Sequence, residues 1–569
     1  MSDRSGLTRR ESVVGAAALA VTAATAQAQT APSQGVPRAE ATAIGRVYDA
    51  AAAGDGRTER AGIPGVLVSN GREVVRTDEA GRYALPVSDE TILFVIKPPG
   101  YALPRDANNI PRFSYIHQPK GTPPELGLRY RGIDPTGPLP AAIDFGLTPA
   151  PEPESFEAIL FTDPQPESLI ELGHVRDTAV TRVLGTQAAF GITTGDILFD
   201  DLSFYGRYNR IIGRIGVPWY HIGGNHDLNF EAPDARYSRE TLKRIYGAPY
   251  YAFHHGQALF VMLDNVHYLG AATATGSNGG RYEGRIGERQ LAFVANLLRE
   301  TPRDRLIVVA MHIPLLTDLG PDNPRENTLD RDALLDLLEG RPVLSLAGHT
   351  HTTEHHYPRG KGEGAHHHHV LTAVSGSWWS GPSARTGIPS ADSRDGTPNG
   401  FHVLSIEGTR YTTRYLSAQG EPDAVMRIMF ESQHRTGAGQ ILRDYRPAQL
   451  LRSPIPLDSV DSTDLVVNVF DGGPRTRVQF RVGDGGPVAM TRRRRSDPFV
   501  AELYARYADT KKPWVKAEPS SHLWVARLPA TIGPGAHRIT VEVEDEYGRP
   551  ARSAVVLEVL AEEAVPRRG

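Results

Sequence analysis

Hydrophobic residues change their rhythm twice along this chain. From residue 42 to 148 they form short alternating runs, such as 65–69 and 91–96. Turn formers separate the runs, at Asn70-Gly71, Asp78-Glu79-Ala80-Gly81 and Pro98-Pro99-Gly100. A period of two between Gly and Pro punctuation predicts short strands packed as a small all-β sandwich. From 155 to 417, apolar runs of strand length (158–162, 191–194, 217–222, 259–263, 306–311, 343–347) alternate with amphipathic stretches of helix length (201–215, 288–300, 331–338). That alternation predicts a layered α/β fold. Its last strands are expected at 370–374, 401–406 and 411–416. From 422 to 560 the two-residue period returns, at 465–470, 477–482 and 539–544, with a turn at Asp545-Glu546-Tyr547-Gly548. A second β-sandwich is predicted there. A linker rich in Pro and Glu, 149–154, separates the first two zones.

The residues before 42 follow different rules. Arg9-Arg10 precedes the apolar run 13–24, and Ala26-Gln27-Ala28 supplies small residues for cleavage. Residues 1–28 therefore read as an export signal. The arginine pair resembles a twin-arginine signal, with Ser12 where that motif usually has Phe, so a Sec signal is the alternative. The run is too short for a membrane span. The expected location is periplasmic or extracellular, with no integral membrane span.

Composition narrows the chemistry. The 569 residues carry a formal net charge of −4, which gives no reason to expect nucleic acid as a partner. There is no cysteine, so any metal must be held by nitrogen or oxygen ligands. Five predicted strands of the middle zone end in such groups. The run 158–162 leads to Asp163-Pro164-Gln165 and 191–194 leads to Gly195-Asp196. The run 217–222 leads to Gly223-Gly224-Asn225-His226-Asp227, 306–311 to His312, and 343–347 to Gly348-His349-Thr350-His351. The carboxyl ends of strands in layered α/β proteins form the binding crevice, so five distant segments can meet in one site.

This set, with Gly-Asn-His-Asp and Gly-His-Thr-His in that order, resembles the calcineurin-like metallophosphoesterase superfamily over 155–417. The implied fold is a layered β-sandwich core flanked by helices. Flanking β zones are expected at 42–148, where 62–86 resembles transthyretin-like or carboxypeptidase-regulatory-like domains, and at 422–560, as an immunoglobulin-like sandwich. The resemblance implies two divalent metal ions. One would take Asp163, Gln165, Asp196 and His351, and the other Asp196, Asn225, His312 and His349. Asp196 would bridge them. It also implies in-line attack on phosphorus by a metal-bridging hydroxide, with His226 as general acid. Asp227 either orients the His226 ring or caps a turn. Asp200 and Asp201 read as an N-cap pair.

The family's commonest pattern has His where Gln165 stands. Asp-x-Gln is similar to the motif of manganese-dependent ADP-ribose/CDP-alcohol diphosphatases, and a harder oxygen ligand favours Mn or Fe, with Zn possible. The expected substrate is a small phosphoester, a nucleotide or a sugar phosphate, its choice lodged in loops such as 265–286. A non-catalytic glycan-binding protein on a degenerate core is the alternative. Three clusters lie outside this scheme. The run His366 to His369 is expected in a solvated loop, able to line the substrate rim or bind stray metal. Trp378 and Trp379 suit either ligand stacking or packing. Arg492 to Arg495 is expected in a solvated hairpin loop.

Overall fold

Two sheets with parallel cores organise the middle zone. The computed structural model describes residues 41–51, 60–271, 280–360, 365–432 and 453–561. The signal expected at 1–28 lies outside them. In the first sheet the order is Trp219–Ile222, Phe190–Thr194, Ser155–Phe161, Gly400–Glu407, Arg410–Ser417, with the first three strands parallel. In the second it is Tyr251–His255, Ala258–Met262, Leu306–Ala310, Val343–Ala347, His367–Val370, Glu354–His356, parallel except for the outermost strand at each end. The central strands are buried along their whole length, as strands covered on both faces must be, which is why they read as largely apolar runs. The helix Glu288–Arg299 buries Phe293, Val294, Leu297 and Leu298, a 3.6-residue stripe.

The flanking zones are β-structured. Among the described residues, the strands between 41 and 149 form two four-stranded sheets, and those between 426 and 560 a four-stranded and a five-stranded sheet. Three sequence readings need correction. The strand expected at 370–374 is instead His367–Val370, fully buried. Histidines read as polar, but here they are satisfied inside the sheet: Ser345 Oγ lies 2.8 Å from both His366 Nε2 and His368 Nδ1. Residues beyond the strand turn toward the site, with Val374 N donating to Thr162 O and Ser375 N to Asp163 O. The arginine run is likewise not a loop. It forms the strand Thr491–Ser496 at a sheet edge, where charge discourages pairing with other chains. The third correction concerns helices at Leu169–Val175, Glu240–Tyr246 and Pro498–Arg506, which sequence periodicity did not announce.

The linker is anchored by Glu152. Its carboxylate pairs with the Lys97 ammonium, receives Gly256 N at 2.9 Å and Gly100 N at 3.2 Å, and lies 3.2 Å from His255 Nδ1. Burial pushes the Glu152 pKa up, but His255 and Lys97 outweigh it and hold it down to about 2. Burial lowers the Lys97 pKa and Glu152 only partly restores it, so the ammonium depends on this partner. Glu152→Ala is expected to cost about 3–5 kcal/mol by leaving a buried charge uncompensated. The native bridge should contribute fully above the ordinary Glu range and be lost as pH falls toward 2. Thermal denaturation of the variant and of Lys97→Met/Glu152→Ala checks this. If the double variant is no more stable than the single one, the account fails.

Candidate metal centre and catalytic site

Parallel strands deliver their carboxyl ends to one edge, and the predicted residues follow those ends directly. Asp163 and Gln165 follow Ser155–Phe161, and Asp196 follows Phe190–Thr194. Asn225 and His226 follow Trp219–Ile222, His312 follows Leu306–Ala310, and His349 and His351 follow Val343–Ala347. Asp196 Oδ2 lies 3.2 Å from His312 Nε2, which lies 3.1 Å from Asn225 Oδ1 and 3.2 Å from His349 Nδ1. On the other side, His351 Nε2 is 3.5 Å from Asp163 Oδ1, and Gln165 Nε2 donates to Asp196 Oδ2 at 2.6 Å. All seven residues predicted as metal ligands are thus brought together. Asp196 touches both groups.

The donor chemistry fits two cations. Asp163 Oδ1, Gln165 Oε1 and His351 Nε2 are buried without a hydrogen-bond partner. Such atoms are costly unless something polar meets them. Each histidine is also fixed through its other nitrogen, as metal-binding imidazoles usually are. His351 Nδ1 donates to Gly376 O at 2.5 Å, His312 Nδ1 to Thr194 O at 3.0 Å, and His349 Nε2 to Arg325 O at 2.9 Å. This leaves lone pairs on His351 Nε2, His312 Nε2 and His349 Nδ1, the atoms that face the centre.

The backbone is strained to achieve this. Asp163, Gln165, Asp196, Asp200, His349 and His351 all have positive φ, between 39° and 75°. Side-chain-bearing residues pay of order 1–3 kcal/mol each for such conformations, which concentrate at functional sites. Two neighbouring glycines serve a different need, close approach. A Cβ on Gly348 would stand 1.7 Å from Thr162 Oγ1, and one on Gly224 would stand 2.1 Å from Asp196 Oδ1. Neither has the positive φ of a tight-turn glycine, so space and not conformation explains them.

His226 sits at the rim. Its Nδ1 is 2.7 Å from Asp200 Oδ1, its Nε2 is 4.0 Å from Asp196 Oδ2, and its ring stacks on Phe199 at 4.4 Å. Burial disfavours charge on this ring, but Asp196, Asp200 and Asp227 outweigh it and raise its pKa to about 9. The carboxylate that orients His226 is therefore Asp200, not Asp227, and the N-cap reading holds only for Asp201, which accepts from Ser203 N. Asp227 is fully buried and braces the loops, accepting from Gly224 N, Ile197 N, Leu198 N and Tyr205 Oη. Sequence reading had no signal for Asp200, because an Asp pair before a helix is ordinary capping chemistry.

Aromatic rings complete the site. Trp378 stacks on His351 at 3.9 Å and packs among Val500, Leu503, Tyr504 and Val515, in line with the packing reading of this residue. Trp379 joins the core beside Phe401 and Val403. Trp514, from the C-terminal zone and 46% exposed, lies 5.8 Å from Phe199 in near-parallel stacking. Sequence reading gave Trp514 no role, since only the fold brings it beside Phe199.

The sequence matches three family models: "N terminal of Calcineurin-like phosphoesterase" over 50–127, "Calcineurin-like phosphoesterase" over 172–353, and "C terminal of Calcineurin-like phosphoesterase" over 368–550. No curated protein matches the chain. Similar solved structures include a dimetal phosphatase from Danio rerio, at 16% identity, covering 46% of this chain and 96% of that one, with a TM-score of 0.31. Another is the purple acid phosphatase PPD1 from yellow lupin (Lupinus luteus) seeds, at 13% identity, covering 62% and 67%, with a TM-score of 0.33. With its core and both flanking zones matched in order, the chain belongs to the calcineurin-like phosphoesterases and is a phosphoester hydrolase.

Proposed function

We propose that this chain is an exported phosphoester hydrolase in which Asp163, Gln165, Asp196 and His351 hold one divalent ion, Asp196, Asn225, His312 and His349 hold a second, and His226 is the general acid. The observation that carries the ligand assignment is the convergence of partnerless buried donors, Asp163 Oδ1, Gln165 Oε1 and His351 Nε2, beside Asp196. What the two ions supply when bound is Lewis acidity, toward phosphoryl oxygens and toward an attacking water. The protein's own part is positioning and proton transfer. Asp200 accepts a hydrogen bond from His226 Nδ1–H, which fixes the ring with Nε2 toward Asp196. As the phosphorus–oxygen bond to the leaving group breaks, Nε2–H gives its proton to the departing oxygen and the ring becomes neutral. The amide oxygen of Gln165, harder than an imidazole, favours Mn²⁺ or Fe²⁺ over Zn²⁺.

The test is a panel of bis-p-nitrophenyl phosphate, p-nitrophenyl phosphate and ADP-ribose against metal-free chain reloaded with Mn²⁺, Fe²⁺ or Zn²⁺, with bound metal counted in each case. Turnover of at least one ester, lost on chelation and restored best by Mn²⁺ or Fe²⁺, is expected. Full activity with Zn²⁺ alone would overturn the metal preference, and no turnover with any metal would overturn the proposal. Trp514 bears on the substrate. An exposed indole stacked on Phe199, whose ring also stacks on His226, suits a nucleobase or other flat group at the rim, and stacking of this kind contributes about 1–3 kcal/mol. Trp514→Ala is expected to raise KM for nucleotide esters about tenfold and to leave KM for alkyl esters unchanged. Equal effects on both would remove the stacking role.

A further inference from the structure

We propose that the chain binds another transition-metal ion, of the Zn²⁺ class, on His355, His369, His402 and Asp471, a site sharing no ligand with the phosphoesterase centre. Asp471 Oδ1 lies 3.0 Å from His369 Nε2, 3.1 Å from His355 Nε2 and 3.2 Å from His402 Nε2. Donor atoms of His355, His369 and Asp471 all stand within 4.8 Å of one another, and His402 reaches the same carboxylate oxygen. A tetrahedral ion with bonds of about 2.0–2.1 Å places its ligand atoms about 3.3 Å apart. Three imidazoles and one carboxylate make a set suited to zinc in a chain without cysteine.

The competing account is hydrogen bonding alone. It requires three Nε2–H donors to crowd one oxygen that offers two lone pairs. For His355 and His369 the surroundings offer partners to the opposite tautomer, with N–H groups pointing outward, while His402 Nδ1 is buried with no hydrogen-bond partner. His355 Nδ1 is 2.8 Å from His367 Nε2, and His367 Nδ1 is 3.2 Å from Tyr411 Oη. His369 Nδ1 is 3.3 Å from Thr413 Oγ1, which is 2.8 Å from Tyr547 Oη. Each chain can accept an outward N–H and free an Nε2 lone pair, the support that metal-binding histidines carry. All three rings are buried, while the Asp471 side chain keeps 16% exposure and leaves a way in. The approach is also built: a Cβ on Gly473 would stand 2.8 Å from His355 Cβ and 2.4 Å from Glu546 Oε2.

The placement suggests what the ion does. His355 and His369 come from one core sheet and His402 from the other, while Asp471 follows the strand Thr463–Val469 of the C-terminal zone. The ion would pin that zone, which carries Trp514, against the core. His355, His367 and His369 stack on one another as a rigid wall, with ring centroids 4.0–5.9 Å apart. The buried histidine run thus becomes a ligand strand and its support.

Zinc-equilibrated, gel-filtered chain should lose one bound ion per chain on Asp471→Asn, in the native background and equally in an Asp196→Asn background. The second background separates this site from the phosphoesterase centre, because a failed reading of that centre would leave the Asp471-dependent ion in place. Added Zn²⁺ should raise the Tm of metal-stripped native chain by on the order of 5 °C more than that of Asp471→Asn. Unchanged metal content in both backgrounds overturns the proposal. If Asp471→Asn does not fold, zinc-edge anomalous scattering from crystals of the native chain decides: a peak between His355, His369 and Asp471 is expected, and its absence overturns the site.

Discussion

Asp196→Asn is expected to lose at least one of the two ions of the phosphoesterase centre and to lower kcat/KM on the order of 10³-fold. Asp196 is the residue both ligand groups share. Its Oδ2 meets Gln165 Nε2 and His312 Nε2, and its Oδ1 accepts His226 N at 2.9 Å. The side chain is 1% exposed, so nothing but the site can use it. Nearby histidines hold its carboxyl far below the usual aspartate range despite complete burial, leaving a permanent anion between the positions assigned to two dications. Asparagine keeps the shape and removes both the charge and one oxygen. Screening between two ions is then lost along with a ligand, and Lewis acidity of several kcal/mol goes with it. Metal analysis and kinetics on the same preparation check this, with near-UV circular dichroism to show that packing survives. Full metal content with native kcat/KM would remove Asp196 from the bridging position.

The site was more legible in the sequence than the zones that surround it. Strand tips could be read because fully buried parallel strands are largely apolar, so the metal-capable polar residues just past each run mark the crevice. Asp163, Asp196, Asn225, His312, His349 and His351 were placed past strand ends this way, and the structure puts them there. Partners that act through a neighbour were not. Asp227 was left between orienting His226 and capping a turn, and Asp200 was read as an N-cap, because sequence shows adjacency to a ligand but not direction. Asp227, next to His226, turns away to bind four donors, while Asp200 reaches across from another strand tip. The histidine run failed for a related reason. Polar residues are expected at the surface until a fold supplies each of them with a partner, and those partners come from Ser345, Tyr411, Thr413 and Asp471, up to about a hundred residues away. Aromatic packing at the rim was equally hidden, since Trp514 approaches Phe199 from the opposite end of the sequence.

His226→Ala should retain both ions and lose turnover selectively. The ring is not in either proposed ligand set, so metal content is expected to match the native chain. A positioned general acid contributes about 10²–10⁴-fold, and its loss is felt where the departing oxygen most needs a proton. Alkyl phosphoesters should therefore fall by that full factor, while p-nitrophenyl esters, whose leaving group departs as a stable anion, should fall about tenfold or less. Asp200 provides a control that a purely structural role would not satisfy. Asp200→Asn keeps an acceptor for Nδ1–H and removes the negative charge that favours the imidazolium. The His226 pKa then drops, and the acid must be protonated to work, so the alkaline limb of the kcat profile should move to lower pH with metal content unchanged. Phe199, stacked on the face of the ring, is expected to hold its orientation in that variant. A uniform loss across good and poor leaving groups in His226→Ala would assign the ring to substrate binding, and an unmoved alkaline limb in Asp200→Asn would detach Asp200 from the proton transfer.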